Sequence, residues 1–189
     1  MAALNDVPGP DVPEAGSRSE TASAIRDGAI GIAARAAAAL AMTADSFAYL
    51  AGNTGLYEIE SSTIALERSQ RQDIREMARQ IITDYTDIAG KLGSWLGGMN
   101  RPNSPPDQLD PLHQVLIDDL YAAADTDFDH RYIAQQISSH EIALTLFRRY
   151  QKHGDNEGLR ELAALGLPVL EKDMAMLRDL NAGERRRAD

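Results

Sequence analysis

The chain has 189 residues, 43% of them hydrophobic, and no cysteine. The length suits one domain with a tail, and the absence of cysteine excludes disulfides, thiol nucleophiles and cysteine-based zinc sites. A formal net charge of −10 argues against non-specific binding to nucleic acid or to an anionic membrane surface.

Residues 1–20 carry Pro8, Gly9, Pro10, Pro13 and Gly16 among scattered acids. They have little to bury and read as a disordered tail. Residues 21–42 are rich in alanine, with Ile25, Ala29, Ile32, Ala36 and Leu40 at helical spacing, which predicts a helical arm. Its apolar face is thin, and a lone helix of this kind is marginal in water. It needs a surface, either its own domain or a second copy of the chain, so a homo-oligomer through residues 21–42 is one expectation. The stretch Ala29–Ala41 is the best candidate for a signal peptide, but Arg35 interrupts it and an acidic segment precedes it. It reads as a poor one. No run of about 18 apolar residues is present to span a bilayer.

From Thr43 the pattern becomes regular. Thr43 is a good N-cap with Asp45 in the first turn, opening a helix to about Arg68. Ser69-Gln70-Arg71-Gln72 matches a capping box for a second helix, which stops at Gly97-Gly98. Pro102, Pro105, Pro106 and Pro111 mark a loop. Asp110 and Pro111 then read as the N-cap and first position of a short helix to about Ala123. A further long helix opens at Thr126 and ends at Gly154. The last runs from about Asn156 to Leu180, with Pro168 inside it. Pro168 removes the backbone bond to the Ala164 carbonyl, which predicts a kink. Arg185, Arg186 and Arg187 belong to a basic tail over 182–189. Four long helices with two short connections and one long crossover describe an all-α domain over 43–181, a four-helix bundle with a short extra helix and an N-terminal helical arm.

Three of these helices place one polar residue where the period calls for an apolar one. The second helix reads Ile74, Ala78, Ile81, Tyr85, Ile88, Leu92, Trp95. The fourth reads Ile133, Ile137, His140, Leu144, Phe147, and the fifth Leu159, Leu162, Gly166, Val169, Asp173, Met176, Leu180. Steps of three and four lie along one helix face, so Tyr85, His140 and Asp173 point inward. On the first helix, Phe47, Ala51 and Thr54 lead to Glu58 by the same steps, while Glu60 falls on the flank. Buried polar groups cost free energy unless they are paired or bind something. Without a ligand, Asp173 is expected to accept a hydrogen bond from His140 or Tyr85. With one, histidine and carboxylates form the usual metal-ligand set of a bundle core. Asp129 reads as a helix-dipole complement, Tyr132 as a core or boundary aromatic, Trp95 and Phe147 as core plugs, and His113, His130 and His153 as surface residues.

The segment Phe47 to Leu180 resembles the ferritin-like helical family called domain of unknown function 4142. The matching stretches are Gly55-Leu56-Tyr57-Glu58-Ile59-Glu60, Thr83-Asp84-Tyr85-Thr86, Phe128-Asp129-His130-Arg131-Tyr132, Ser139-His140, and Leu167-Pro168-Val169-Leu170-Glu171-Lys172-Asp173. The resemblance implies a ferritin-like bundle. It also implies histidines where this chain has Tyr85 and Asp173, and it retains the third as His140. Tyrosine is a poor ligand for most divalent metals, whereas aspartate suits hard ones. Members of the family look like envelope proteins, which points to the periplasm, while the poor signal peptide leaves the cytoplasm open.

The leading expectation is therefore a non-catalytic bundle, stress- or envelope-related by resemblance, whose core cluster of Glu58, His140, Asp173 and Tyr85 takes a divalent metal ion. A ferritin-type metal-dependent oxidase is one alternative. It wants Glu-x-x-His on two helices, which neither Asp84 and Asp87 nor Glu171 and Asp173 supply. A helical assembly module acting through residues 21–42 is the other. There is no glycine-rich phosphate loop, nucleophile elbow or zinc-protease motif.

Overall fold

The computed structural model describes residues 43–98 and 106–188, together with Arg35, Ala36 and Leu40. Its elements are α1 (Ala44–Arg68), α2 (Gln72–Gly98), α3 (Pro111–Ala122), α4 (Asp125–His153) and α5 (Glu157–Ala188), with no strand among the described residues. The residues expected to form the tail and most of the helical arm lie outside the described ones. Among the described residues no helix is long and apolar enough to cross a membrane.

The helix starts follow local chemistry. Thr43 caps α1, its Oγ1 accepting the Ser46 N–H at 3.2 Å. Asp110 caps α3, its Oδ1 accepting the N–H groups of Leu112 and His113 at 3.0 and 2.9 Å. Ser69 behaves differently from expectation. It is the C-cap of α1, its N–H donating to the Ala65 carbonyl at 3.0 Å, and its hydroxyl accepts the Arg71 N–H at 3.2 Å. The capping box does not close, because the Gln72 side chain reaches forward to Glu76 instead. α4 begins at Asp125 with no side-chain cap. α5 runs unbroken across the exposed Pro168 and on past Leu180 to Ala188.

α4 packs most extensively on α5 and α1 on α2, and the α1–α4 and α2–α5 contacts close a ring of four long helices. The three-residue connections 69–71 and 154–156 set those neighbours antiparallel. α3 lies against α1 and α4. Arg68 fastens it there, donating to the carbonyls of Leu120 and Ala123 and to Asp125, each at 2.7 Å. The crossover is tied back to α1 by the Asp110 N–H, which donates to Asn53 Oδ1 at 2.9 Å. Gly52 lets Pro106 sit directly on the helix, since a Cβ there would stand 2.6 Å from Pro106 Cδ.

The core falls into two apolar clusters. One gathers Phe47, Ile81, Leu92, Phe147, Leu159 and Leu170, and the other Ile64, Ile74, Ile117, Leu120, Phe128 and Ile133. The stripes on α2 and α4 are buried largely as the spacing predicts. On α5 the register differs: Met176 is 38% exposed, and Leu170, Met174 and Leu177 take the inward places. α5 packs against both α4 and α2, so its buried sector is wider than one stripe. Trp95 is half-buried at the bundle end and Leu96 fills the core beside it. Gly158 opposes the indole, whose Nε1 would be 2.6 Å from a Cβ there.

Candidate functional site

Between the two apolar clusters the bundle carries a belt of buried polar side chains. α1 contributes Asn53, Thr54, Glu58, Ser61 and Ser62, α4 contributes Gln135, Gln136, Ser139 and His140, and α5 contributes Asp173. α2 adds Tyr85, 2% exposed. The sequence spacing put Glu58, Tyr85, His140 and Asp173 inside, and all four are inside, with Glu60 exposed on the flank.

Part of the belt is satisfied. The Tyr57 hydroxyl donates to Gln135 Oε1 at 2.8 Å. Gln136 Nε2 donates to the Ser61 hydroxyl at 2.8 Å, and the Ser62 and Tyr132 hydroxyls lie 2.9 Å apart. These pairs stitch α1 to α4. Such interactions contribute roughly 0.5–1.5 kcal/mol each, and their loss would strand a buried group.

The other part is not. Neither oxygen of Glu58 or of Asp173 has a hydrogen-bond partner, and neither does the Tyr85 hydroxyl nor His140 Nε2. The expected bond from His140 or Tyr85 to Asp173 is absent. The imidazole turns its other nitrogen to the helix: His140 Nδ1 lies 3.0 Å from the Gln136 carbonyl. A carbonyl only accepts, so Nδ1 carries the proton and Nε2 presents a bare lone pair. Glu58 Oε1 is 3.4 Å from the same Nδ1, and the Tyr85 ring stands edge-on to the imidazole, 5.5 Å between centroids.

Burial sets the protonation of this group. Desolvation pushes the Glu58 carboxyl up to about 8. Ser139 and Gln136 oppose that rise and the Asp173 carboxyl adds to it. Asp173 is pushed up to about 7, first by desolvation and then by the facing Asp84 carboxyl, against the pull of Lys172. Desolvation draws His140 down to about 4, countered in part by the Gln136 carbonyl. Tyr85 rises well above its ordinary value through burial and the nearby carboxyls of Glu58, Asp173 and Asp84. At neutral pH the site is thus a neutral imidazole beside carboxyls that hold protons or share them.

Among the described residues no three histidine, aspartate or glutamate side chains converge as a ready metal-ligand group. The donors are gathered in one layer without being drawn together on one point. Sequence reasoning missed the serines and glutamines of the belt, although Tyr132, Gln136, Ser139 and His140 continue one stripe on α4. It also read His113 as a surface residue, whereas its side chain is only 13% exposed. His113 Nδ1 lies 3.0 Å from Asp110 Oδ1, and its ring sits 5.4 Å from that of Tyr57. The short span from Asp110 to His113 folds into one helical turn, which brings the two together. His130 and His153 are exposed as expected. Asp129 sits in the first turns of α4, but its Oδ1 is buried without a partner.

A family model described as Domain of unknown function (DUF4142) matches residues 31–180. No curated protein matches the sequence. Several solved structures share the fold, among them the following two. "CopM in the Cu(II)-bound form" aligns with a TM-score of 0.61 at 17% identity, over 75% of this chain and 98% of that one. "CopM in the Cu(I)-bound form" aligns with a TM-score of 0.61 at 17% identity, over 74% and 95%. At that identity the likeness speaks for the fold alone.

Proposed function

This chain belongs to the family described as Domain of unknown function (DUF4142), and from that premise we propose that it is a non-catalytic helical bundle that takes one divalent metal ion into its polar belt. The observation that carries this reading is the contrast within the belt. The α1–α4 pairs are hydrogen-bonded, whereas Glu58, Tyr85, His140 Nε2 and Asp173 are buried without a well-formed hydrogen bond, Glu58 having Ser139 and Gln136 nearby and Asp173 the Asp84 carboxyl. Leaving such groups desolvated costs several kcal/mol. A cation would return that cost to the folded state.

By residue type the donor set suits a borderline divalent ion, although the side chains are not drawn together on one point among the described residues and would have to close around it. His140 is neutral, and its Nδ1–H is held by a backbone carbonyl, which leaves Nε2 as the ligand atom. That is the arrangement in which protein imidazoles ordinarily bind metals. Glu58 and Asp173 supply oxygen donors once their protons leave. Tyr85 closes one side of the imidazole with its ring edge and is the weakest donor of the four. Copper is the first ion to test, because the bundle shares its fold with a protein solved in Cu(II)- and Cu(I)-bound forms.

The test is titration calorimetry of the chelator-stripped chain with Cu(II) and with Zn(II), on the wild type and His140→Ala. One equivalent bound by the wild type and none at that affinity by the variant is the expected result. Equal binding by both proteins would mean that any metal sits on the acidic surface, and would end this reading.

A further inference from the structure

At the end of the bundle where α2 begins, α2 and α5 leave a groove of about 340 Å³ between them, lined by Asp73, Glu76 and Met77 on one helix and Met176, Asp179 and Leu180 on the other. Its floor is apolar. Met77 is 1% exposed, and Met176 on the facing helix is 38% exposed, turned outward by the register that seats Met174 and Leu177 in the core. Gly183 also lines the groove, and a Cβ there would meet nothing nearer than the Arg186 guanidinium at 4.0 Å. The rim is acidic and poorly balanced. No lysine or arginine lines the groove. Arg71 holds Asp73 at 2.8 Å, but the same guanidinium also takes Glu184, whose Oε2 is buried without a partner. Glu76 accepts from the uncharged Gln72 amide at 2.9 Å. One turn either side of Asp179 stand Ala175, Met176, Ala182 and Gly183, none of which can balance its charge. The next cation along the seam is Lys172, whose ammonium lies 3.6 Å from Asp84 Oδ2.

We propose that this groove binds a small organic cation, an ammonium or guanidinium carried on a short apolar chain. The proposal stands apart from the metal reading of the belt. The volume lies near the lower bound of ligand pockets, about 300–1,000 Å³, which matches a small molecule rather than the face of a folded partner. Two thioethers and a leucine give an apolar chain a soft, adaptable bed. The head group is set by the rim. Ionised carboxylates only accept hydrogen bonds, so a fitting head must donate as well as carry positive charge. Ammonium and guanidinium do both. A quaternary ammonium donates nothing and is ordinarily held by aromatic rings, and no aromatic residue lines this groove. An anionic amphiphile would meet the same carboxylates and be repelled. A merely solvated acidic surface gives no reason for two methionines and a leucine between the carboxylates, whereas an amphipathic cation uses both.

The experiment is an NMR titration of the full chain, labelled with carbon-13 at its methionine methyls, with n-octylammonium chloride. The signals of Met77 and Met176 are assigned through Met77→Leu and Met176→Leu. 1-Octanol and sodium octanoate are the uncharged and anionic controls. Both methyl signals should shift saturably with octylammonium and far less with either control. Asp179→Asn should weaken the affinity about threefold to fivefold, and Gly183→Leu, whose side chain fills the groove, about tenfold. Asp87 pairs with Lys91 on the exposed face of α2, so Asp87→Asn removes a charge away from the groove and should change the affinity by less than about a factor of two. Octanol or octanoate shifting the two signals as readily as octylammonium would show a crevice with no preference for cations and would overturn the proposal. So would an Asp179→Asn that binds no more weakly than Asp87→Asn. Gly183→Leu replaces a helical glycine with a helix-favouring residue, so if Asp179→Asn does not fold it decides alone, and undiminished binding in it overturns the proposal. None of these outcomes bears on the belt, which is tested by the His140→Ala titration.

Discussion

Replacing Glu58 with glutamine should stabilise the metal-free protein, and the size of the gain should depend on pH. Burial raises the Glu58 carboxyl from 4.5 to about 8. In the unfolded chain the carboxyl ionises above 4.5, while in the folded chain it stays protonated until about 8. Its contribution to stability is therefore intact below 4.5 and is lost progressively as pH rises towards 8. At pH 7 the loss amounts to about 2.5 pH units at 1.36 kcal/mol each, on the order of 3 kcal/mol. Glu58→Gln keeps the shape and removes the ionisation. Urea unfolding in chelator should show the variant more stable than wild type by up to about 3 kcal/mol at pH 7, and equal to it at pH 4. In saturating Cu(II) the order should reverse, since the variant has lost a ligand. A variant destabilised at pH 7, and less so at pH 4, without metal would mean that Glu58 is held as a hydrogen-bonded structural ion, and the reasoning from an unpartnered carboxyl would fall.

The remaining predictions concern other parts of the belt and core. His140→Ala should lower the melting temperature even in chelator, because a fully buried ring that donates to the Gln136 carbonyl is removed, and it should abolish the further rise that metal gives the wild type. Metal affinity in calorimetry should climb as pH rises from 6 to 8, where Glu58 and Asp173 give up their protons; a flat profile would contradict their role as ligands. Ser62→Ala should cost about 1–3 kcal/mol by stranding the Tyr132 hydroxyl, leaving metal affinity unchanged. Gly166→Ala should cost about 1–3 kcal/mol in urea melts, because the new methyl would meet the Phe147 ring at 2.7 Å.

The fold was legible because the helices announce themselves locally. Thr43, Asp110 and Pro111 mark starts that their hydrogen bonds bear out, and the stripes on α2 and α4 hold one face in the core. Ser69 misled because the same residue type serves either the end of one helix or the start of the next, and a three-residue connection leaves room for only one of those roles. The α5 stripe slipped because periodicity measures one face, whereas that helix is pressed by two neighbours. Within the site, spacing delivered the inward positions of Glu58, Tyr85, His140 and Asp173. It could not deliver their partners. Whether an imidazole turns to a carboxyl on another helix or to its own backbone four residues back depends on side-chain rotamer and helix offset, and neither is written in a stripe. The Asp84–Lys172 pair was hidden for the same reason, since both residues sit on the shoulders of their helices, where the sequence shows only ordinary surface charge.

The polar belt has a consequence for how the four helices are aligned along their length. Aliphatic side chains are nearly interchangeable, so a bundle cored by them alone has little to stop one helix sliding past another by a turn of 5.4 Å. Here such a slip would drive Glu58 or Asp173 into the Leu and Phe layers above or below and would uncouple Ser62 from Tyr132 and Tyr57 from Gln135 at one stroke. The belt thus acts as the notch of a key, setting the vertical offset of α1 against α4.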